Sequence, residues 1–244
     1  MYDQSEEGVD AVATHAEPEV QPRLPLSRPR VLRAAVKIAD ERGLEALTMR
    51  RVAEEVGAEA MSLYHHVANK EEILDGLVDV IVGEINETVD RLDRPGDGAQ
   101  WKGAVRARIL AARTILLRHP WAPRVLESRK TTSLAVLHYH DGLVGMLRAG
   151  GFSYDLIHHA MHALGSRALG FAQELFDPGD GAADPQSDAM LASMADRLPN
   201  LVGMMAEIAH DDPDSTLGWC DDQTEFEFGL DLILDGLDRL RAQA

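Results

Sequence analysis

Cysteine is almost absent from this chain of 244 residues: Cys220 stands alone. An intrachain disulfide cannot form, and a small secreted scaffold held by bridges is excluded. Cys220 itself reads as a small apolar or partly exposed residue. No run approaches the roughly 18–20 uninterrupted apolar residues needed to span a bilayer. The acidic N-terminus lacks the basic and hydrophobic regions of a signal peptide, so a cytoplasmic protein with no membrane partner is expected. Basic residues are also in short supply, with 24 Lys and Arg against 41 Asp and Glu and a formal net charge of -17. An acidic surface repels phosphate, which excludes a protein that coats nucleic acid indiscriminately. Missing as well are a nucleophile elbow, a Gly-rich phosphate loop and a His-Glu-x-x-His pattern. No catalytic residue, no cofactor and no metal site is expected, and the chain is not read as an enzyme.

What basic charge there is lies in one place. From Arg23 to Lys70 there are nine Lys and Arg against six Asp and Glu, a net of +3, while residues 71 to 244 carry 15 basic and 29 acidic residues. Residues 1 to 22 hold six acids and no Lys or Arg. Acidic surface elsewhere leaves the Arg23–Lys70 region as the face that tolerates a phosphate backbone.

Residues 1 to 24, with Pro18, Pro22 and several acids, show no apolar periodicity and read as a disordered tail. From Ser27 the pattern turns helical. Ser27 can cap, Pro29 suits a first turn, and Val31, Leu32, Ala35, Ile38 and Ala39 recur at spacings of three and four until Gly43, giving a helix over 28–42. Thr48 can cap a second helix with a Val52, Ala53 and Val56 stripe, which Gly57 ends. Ala60 to His66 forms a short third helix. There Leu63 and Val67 face inward, while Ser62 and His66 point the other way. Asn69 and Glu72 resemble a capping box and start a long helix through Leu74, Leu77, Ile81 and Ile85.

Further helices are expected at about 101–118, 132–147, 153–176, 188–197, 199–209 and 223–241, separated by loops at Arg94–Gly98 and Asp177–Ser187. No strand alternation or internal repeat is present. The chain reads as all-α, with a three-helix helix-turn-helix unit over 25–72 and a larger helical domain over 73–244.

A helix, a three-residue turn and a short second helix with polar residues outward is the arrangement that places side chains in a DNA major groove. The succession Ala35, Gly43, Leu47-Thr48, Arg50, Val52-Ala53, Val56-Gly57, Leu63-Tyr64, His66-Val67, Asn69-Lys70 and Leu74–Leu77 resembles the TetR family of bacterial transcriptional repressors. Weaker similarity to the ligand-binding domain of the tetracycline-repressor branch continues through Leu117–Arg129, Gly150–Ser153, Gly165–Glu174 and Phe228–Leu237.

The resemblance implies a homodimer on double-stranded operator DNA, pairing through the helices at about 153–176 and 223–241. It further implies a larger domain that binds a small-molecule inducer and releases a palindromic operator. An activator or a constitutive DNA binder with the same head is the alternative. Periodicity alone favours packing of the terminal Leu and Ile stripe within the chain over packing against a partner.

Carried over position by position, the resemblance assigns a phosphate contact to Thr48 and a base contact to Arg50, whose guanidinium suits guanine O6 and N7. Ala60, Met61 and Ser62 stand where the tetracycline repressor has Gln, Pro and Thr, so the amide contact is lost and Met61 offers apolar contact. Tyr64, His66 and Lys70 match positions at the DNA backbone, and His65 replaces a Trp.

In the larger domain the tetracycline pattern fails. Leu126 and Asn86 stand at two His positions and Leu143 near a Gln position, and only Glu174 retains the acidic group. A different inducer is expected. Trp121, Met146 and Phe171 are candidates to line its pocket, Arg108 and Arg167 to hold an anionic group, and His162 and Glu174 to complete it. His158 and His162 have the i, i+4 spacing of zinc ligands, but hydrogen-bonded histidines at a helix or dimer interface are the plainer reading.

Overall fold

The structure, a computed structural model, describes residues 25–92, 100–129, 133–169, 193, 196–207 and 222–243. Among these residues every regular element is helical. The tail expected over 1–24 lies outside them.

Helix α1, Arg28–Arg42, begins over Pro29, whose fixed φ suits a first turn, and ends at Gly43 with φ 75°. Ser27 lies extended ahead of it, but its side chain makes no capping bond, contrary to expectation. A short 3-10 turn, Leu44–Ala46, leads to α2, Met49–Val56. Thr48 caps α2, its hydroxyl oxygen accepting from the Arg51 N–H at 3.2 Å. Gly57 closes it with φ 65° and ψ 37°, a left-handed conformation that costs glycine nothing.

Helix α3, Ala60–Leu63, is shorter than the periodicity predicts. The amides of His66 and Val67 both bond to the Leu63 carbonyl, so the ladder stops and Tyr64–His66 become a turn. Helix α4, Lys70–Val89, has the expected reciprocal cap. Asn69 Oδ1 accepts from the Glu72 N–H at 2.9 Å, and Glu72 Oε2 accepts from the Ala68 N–H at 2.6 Å.

The body contains α5 (Trp101–Arg118), α6 (Ala122–Ser128), α7 (Leu134–Ala149), α8 (Tyr154–Leu169), α9 (Pro199–Glu207) and α10 (Asp222–Arg241). Helix α6 was not legible in the sequence: with Pro123 in its first turn, it is too short to show a period. Helix α7 starts and ends two residues later than expected because Ser133, not an earlier residue, caps it by accepting from the Val136 N–H.

Two apolar cores hold these helices. The first joins α1, α2, α3 and α4 to α5 and α6, from Val31, Leu63 and Leu77 through Ile85 to Ile115 and Val125. The second joins α5, α7, α8 and α10 through Val105, Leu147, Ile157, Leu230 and Leu234. Helix α4 therefore belongs to both the small head and the body, and a boundary at residue 72 falls inside its first turn. Its approach to α1 is close: a Cβ on Gly76 would lie 2.5 Å from Leu32 Cδ2. Helix α10 turns Phe226, Leu230, Leu234 and Leu237 inward and is laced to α5 by Arg106, which bonds Asp231 at 2.8 Å and Glu227 at 2.6 Å. Phe228, Leu232 and Leu240 remain exposed on its other side.

Candidate nucleic-acid interface and ligand region

The head is built so that its apolar residues consume the interior and its polar residues are left outside. Leu47, Val52, Ala53, Val56, Leu63 and Val67 are all buried, which fixes how α2 and α3 sit against α1 and α4. Three side-chain bonds reinforce the arrangement. Arg30 donates to the Val56 carbonyl at 2.8 Å, Arg51 to the Ala46 carbonyl at 2.8 Å, and Lys37 meets Glu55 at 2.6 Å. Arg28 pairs with Glu72, tying the starts of α1 and α4 together. The Ala68 amide and the Arg28 guanidinium together hold the Glu72 carboxyl below its ordinary range.

The candidate DNA residues lie on the outside of this frame. Thr48, Arg50, Met61, Tyr64 and His65 are exposed, while Ala60, Ser62, His66 and Lys70 are half-buried. Met61, a large apolar side chain, is 71% exposed at the tip of α3. Arg50 Nε donates to Glu54 Oε1 at 2.9 Å, one turn along α2, and the Arg50 side chain is 87% exposed. An exposed pair of this kind is worth about 0.3–0.5 kcal/mol, so it does not hold Arg50 back from a base edge. The Thr48 oxygen is used as the cap acceptor, and its hydroxyl hydrogen is still there to donate to phosphate. Lys70, in the first turn of α4, has no carboxylate within ion-pair distance among the described residues.

The ligand candidates do not form one group. Arg108 is buried between α5 and α7 at 3% exposure. Its Nη2 donates to the Tyr139 carbonyl at 3.1 Å, its guanidinium lies 4.7 Å from the Tyr139 ring centroid, and Asp90 Oδ1 is 4.0 Å from Nη1. Gly142 makes the space, since a Cβ there would meet the guanidinium at 2.7 Å. Met146 follows one turn later on α7 and packs against the second core.

Asn86, on α4, reaches the same helix: its Nδ2 donates to the Ala135 carbonyl at 2.9 Å, one turn before Tyr139. Its Oδ1 is buried without a hydrogen-bond partner among the described residues. Burial raises the Tyr139 phenol above its ordinary range, partly opposed by Arg108.

Trp121 does not join Arg108 and Met146. It belongs to the first core, and its Nε1 donates to Asp40 of α1 at 2.7 Å. His162 is exposed on α8 with its ring 4.8 Å from that of His158. Phe171, Glu174 and the side chain of Arg167 lie outside the described residues. Among the described residues no three His, Cys, Asp or Glu side chains converge as metal ligands would, and no helix is long and apolar enough to cross a membrane.

Sequence reasoning missed the links between head and body. Arg129 meets Glu71 at 2.8 Å and Asp75 at 2.9 Å, and Arg118 meets Glu84 at 2.5 Å. His119 Nδ1 lies 2.7 Å from the same Asp40 oxygen that Trp121 uses. The stretch His119-Pro-Trp-Ala-Pro123 was the only local signal.

A small helix-turn-helix head sharing its last helix with a larger all-helical body defines a DNA-binding regulatory protein. Residues 31–77 match the bacterial regulatory proteins of the tetR family, and residues 94–241 match the tetracyclin repressor-like C-terminal domain. The chain belongs to the TetR family and is a transcriptional regulator.

Among its relatives is the HTH-type transcriptional repressor DrrR1 of Streptomyces coeruleorubidus, 32% identical over 243 residues, covering 94% of this chain and 84% of the relative. The Escherichia coli tetracycline repressor protein class C is 27% identical over 217 residues, covering 88% and 92%. The Streptomyces coelicolor protein ActR, solved in complex with actinorhodin, superposes with a TM-score of 0.67 at 27% identity, covering 89% of this chain and 99% of that one.

Proposed function

We propose that the protein is a cytoplasmic, dimeric repressor that occupies a palindromic operator and leaves it when a small molecule binds the body. The observation that carries this reading is helix α4, which holds Lys70 of the DNA face at one end and the buried Asn86 amide of the body toward the other. A ligand that shifts α4 therefore moves the head. Two heads entering successive major grooves must sit about 34–36 Å apart, or a multiple of it, so a displacement of a few ångströms uncouples them.

In this reading Arg50 reads a guanine edge, Met61 meets an apolar base edge, and Thr48, Ser62, Tyr64, His66 and Lys70 hold the backbone. Ala60 allows close approach, and His65 stands at the rim. The inducer is held where Arg108, Asn86 and Tyr139 converge on α7. Asn86 Oδ1 there accepts from a ligand donor, and Arg108 faces a polar or anionic group. The second copy covers Phe228, Leu232 and Leu240 of α10.

Genomic footprinting combined with a promoter reporter tests this reading. A repressor protects a site overlapping a promoter, and deleting the protein raises expression. A drop in expression on deletion would make it an activator, and absence of any sequence-specific footprint would end the proposal.

A further inference from the structure

A cleft of about 350 Å³ lies at the junction of head and body, away from Arg108 and Asn86. It is within the range of about 300–1,000 Å³ common for small-molecule sites, at the small end. Its walls come from three elements: Leu44 and Glu45 of the 3-10 turn; Lys70, Glu71 and Leu74 of α4; and Arg124, Val125 and Ser128 of α6 with Arg129 just past its end. Leu44, Leu74 and Val125 supply an apolar floor.

The cations around it are unevenly neutralised. Arg129 donates to Glu71 and lies within ion-pair distance of Asp75. Arg124 is 77% exposed and meets Glu45 loosely at 3.6 Å, and Lys70 has no carboxylate within ion-pair distance among the described residues. Ser128 Oγ donates to the Val125 carbonyl at 2.8 Å and so presents its lone pairs, not its proton, to the surroundings. The polar rim thus has two cations to offer an anion, Lys70 and Arg124, with Glu71 engaged by Arg129 and Glu45 only loosely held, over an apolar floor.

We propose that this cleft binds a small organic acid, its apolar body on Leu44, Leu74 and Val125 and its carboxylate between Lys70 and Arg124. Such a ligand displaces Glu45 from Arg124 and replaces a loose exposed pair by two charge-assisted hydrogen bonds. It also spans the 3-10 turn of the head and α6 of the body, and it occupies the ammonium that faces a DNA phosphate. The site is separate from the inducer region of the body, and its occupation weakens operator binding.

The test uses the full chain with 2-naphthoate as probe and 2-naphthalenemethanol as its uncharged counterpart, both titrated by calorimetry. The expected result is that the acid binds at least about tenfold more tightly than the alcohol, the difference one charge-assisted contact provides. R124A weakens the acid by about tenfold. L74W fills the cleft and removes binding, while its circular dichroism and melting curve report whether it is folded.

R108M, in the body, leaves naphthoate binding unchanged. Operator affinity of R124A without the probe stays at the level of the parent protein, which separates failure of the cleft from failure of the DNA reading. Equal affinity for acid and alcohol overturns the proposal. So does naphthoate binding that survives R124A and a folded L74W, or that is lost in R108M.

Discussion

Trp121 and Asp40 meet across the junction of body and head: the indole Nε1–H donates to the Asp40 carboxylate at 2.7 Å. His119 Nδ1 lies at the same distance from the same oxygen, and His119 Nε2 is 3.7 Å from Glu84 of α4. One carboxylate on α1 is thus shared by two side chains that immediately precede α6.

Asp40→Ala should destabilise the protein by about 1–3 kcal/mol, because it leaves the largely buried Trp121 and His119 without their acceptor. Trp121→Phe, which removes the donor but keeps an aromatic ring, should cost less. Chemical denaturation of both variants checks the order, and an Asp40→Ala protein as stable as its parent would show that the shared contact holds nothing.

Arg50→Ala and Lys70→Ala should both weaken operator binding, in different ways. Loss of a bidentate base contact costs about 1–3 kcal/mol and relaxes preference at one position. Loss of a phosphate contact weakens all sequences alike and lowers the salt slope by about 1. Affinity measured at several salt concentrations on operator and scrambled DNA separates the two. Arg50→Ala with unchanged sequence preference removes it as a base reader.

Arg108→Met should leave operator affinity intact and blunt the response to inducer. The substitution keeps the length of the side chain but removes the donor to the Tyr139 carbonyl and one partner of the Asp90 contact, so it should also lower the melting temperature, which a thermal melt reads separately. The concentration of inducer needed for release should rise by about tenfold or more, the worth of one charge-assisted hydrogen bond. A reporter strain exposed to candidate inducers reads this directly, and an unaltered dose response would place the inducer elsewhere.

Acid should loosen α10 from α5. Hydrogen bonds from Gln223 and Arg106 hold the Glu227 carboxyl below its ordinary range. A carboxyl with a depressed pKa stabilises the fold above its unfolded value, and the contribution disappears as pH falls through the folded value. Glu227→Gln should therefore melt about 1–2 °C below the parent at neutral pH, a small effect because the pair is partly solvated. The two melting curves should converge as the pH falls through the carboxyl's lowered range, and a gap that stays constant until acid unfolds both proteins would contradict the linkage.

The head was legible because its signals are local. Thr48, Gly57, Asn69 and Glu72 each act within four residues of themselves, and the structure uses all four as caps or stops. The register of Val52, Val56, Leu63 and Val67 likewise follows from short-range spacing, and all four are buried. The body was legible only as a set of helices. Trp121 looked like a pocket residue because a lone Trp beside Pro carries no trace of a partner 81 positions earlier. Arg106 gave no sign of its bonds to Glu227 and Asp231, more than a hundred residues away. The convergence of Asn86 and Arg108 on successive turns of α7 is equally a property of packing.

The passage of α4 from the head into the body bears on how such regulators are recombined. Ile81 and Ile85 of this helix are buried with Ile115 and Val125, in the same core as Leu63 and Val31. Transplanting the head to a foreign body by cutting after Glu72 would strand that seam on both sides. A chimera joined beyond Val89 keeps α4 whole but then needs a host whose α5 and α6 accept its isoleucines. On the proposed reading, exchange of operator specificity is therefore simplest on the outer surface of α2 and α3, at Arg50, Met61 and Ser62, none of which is buried.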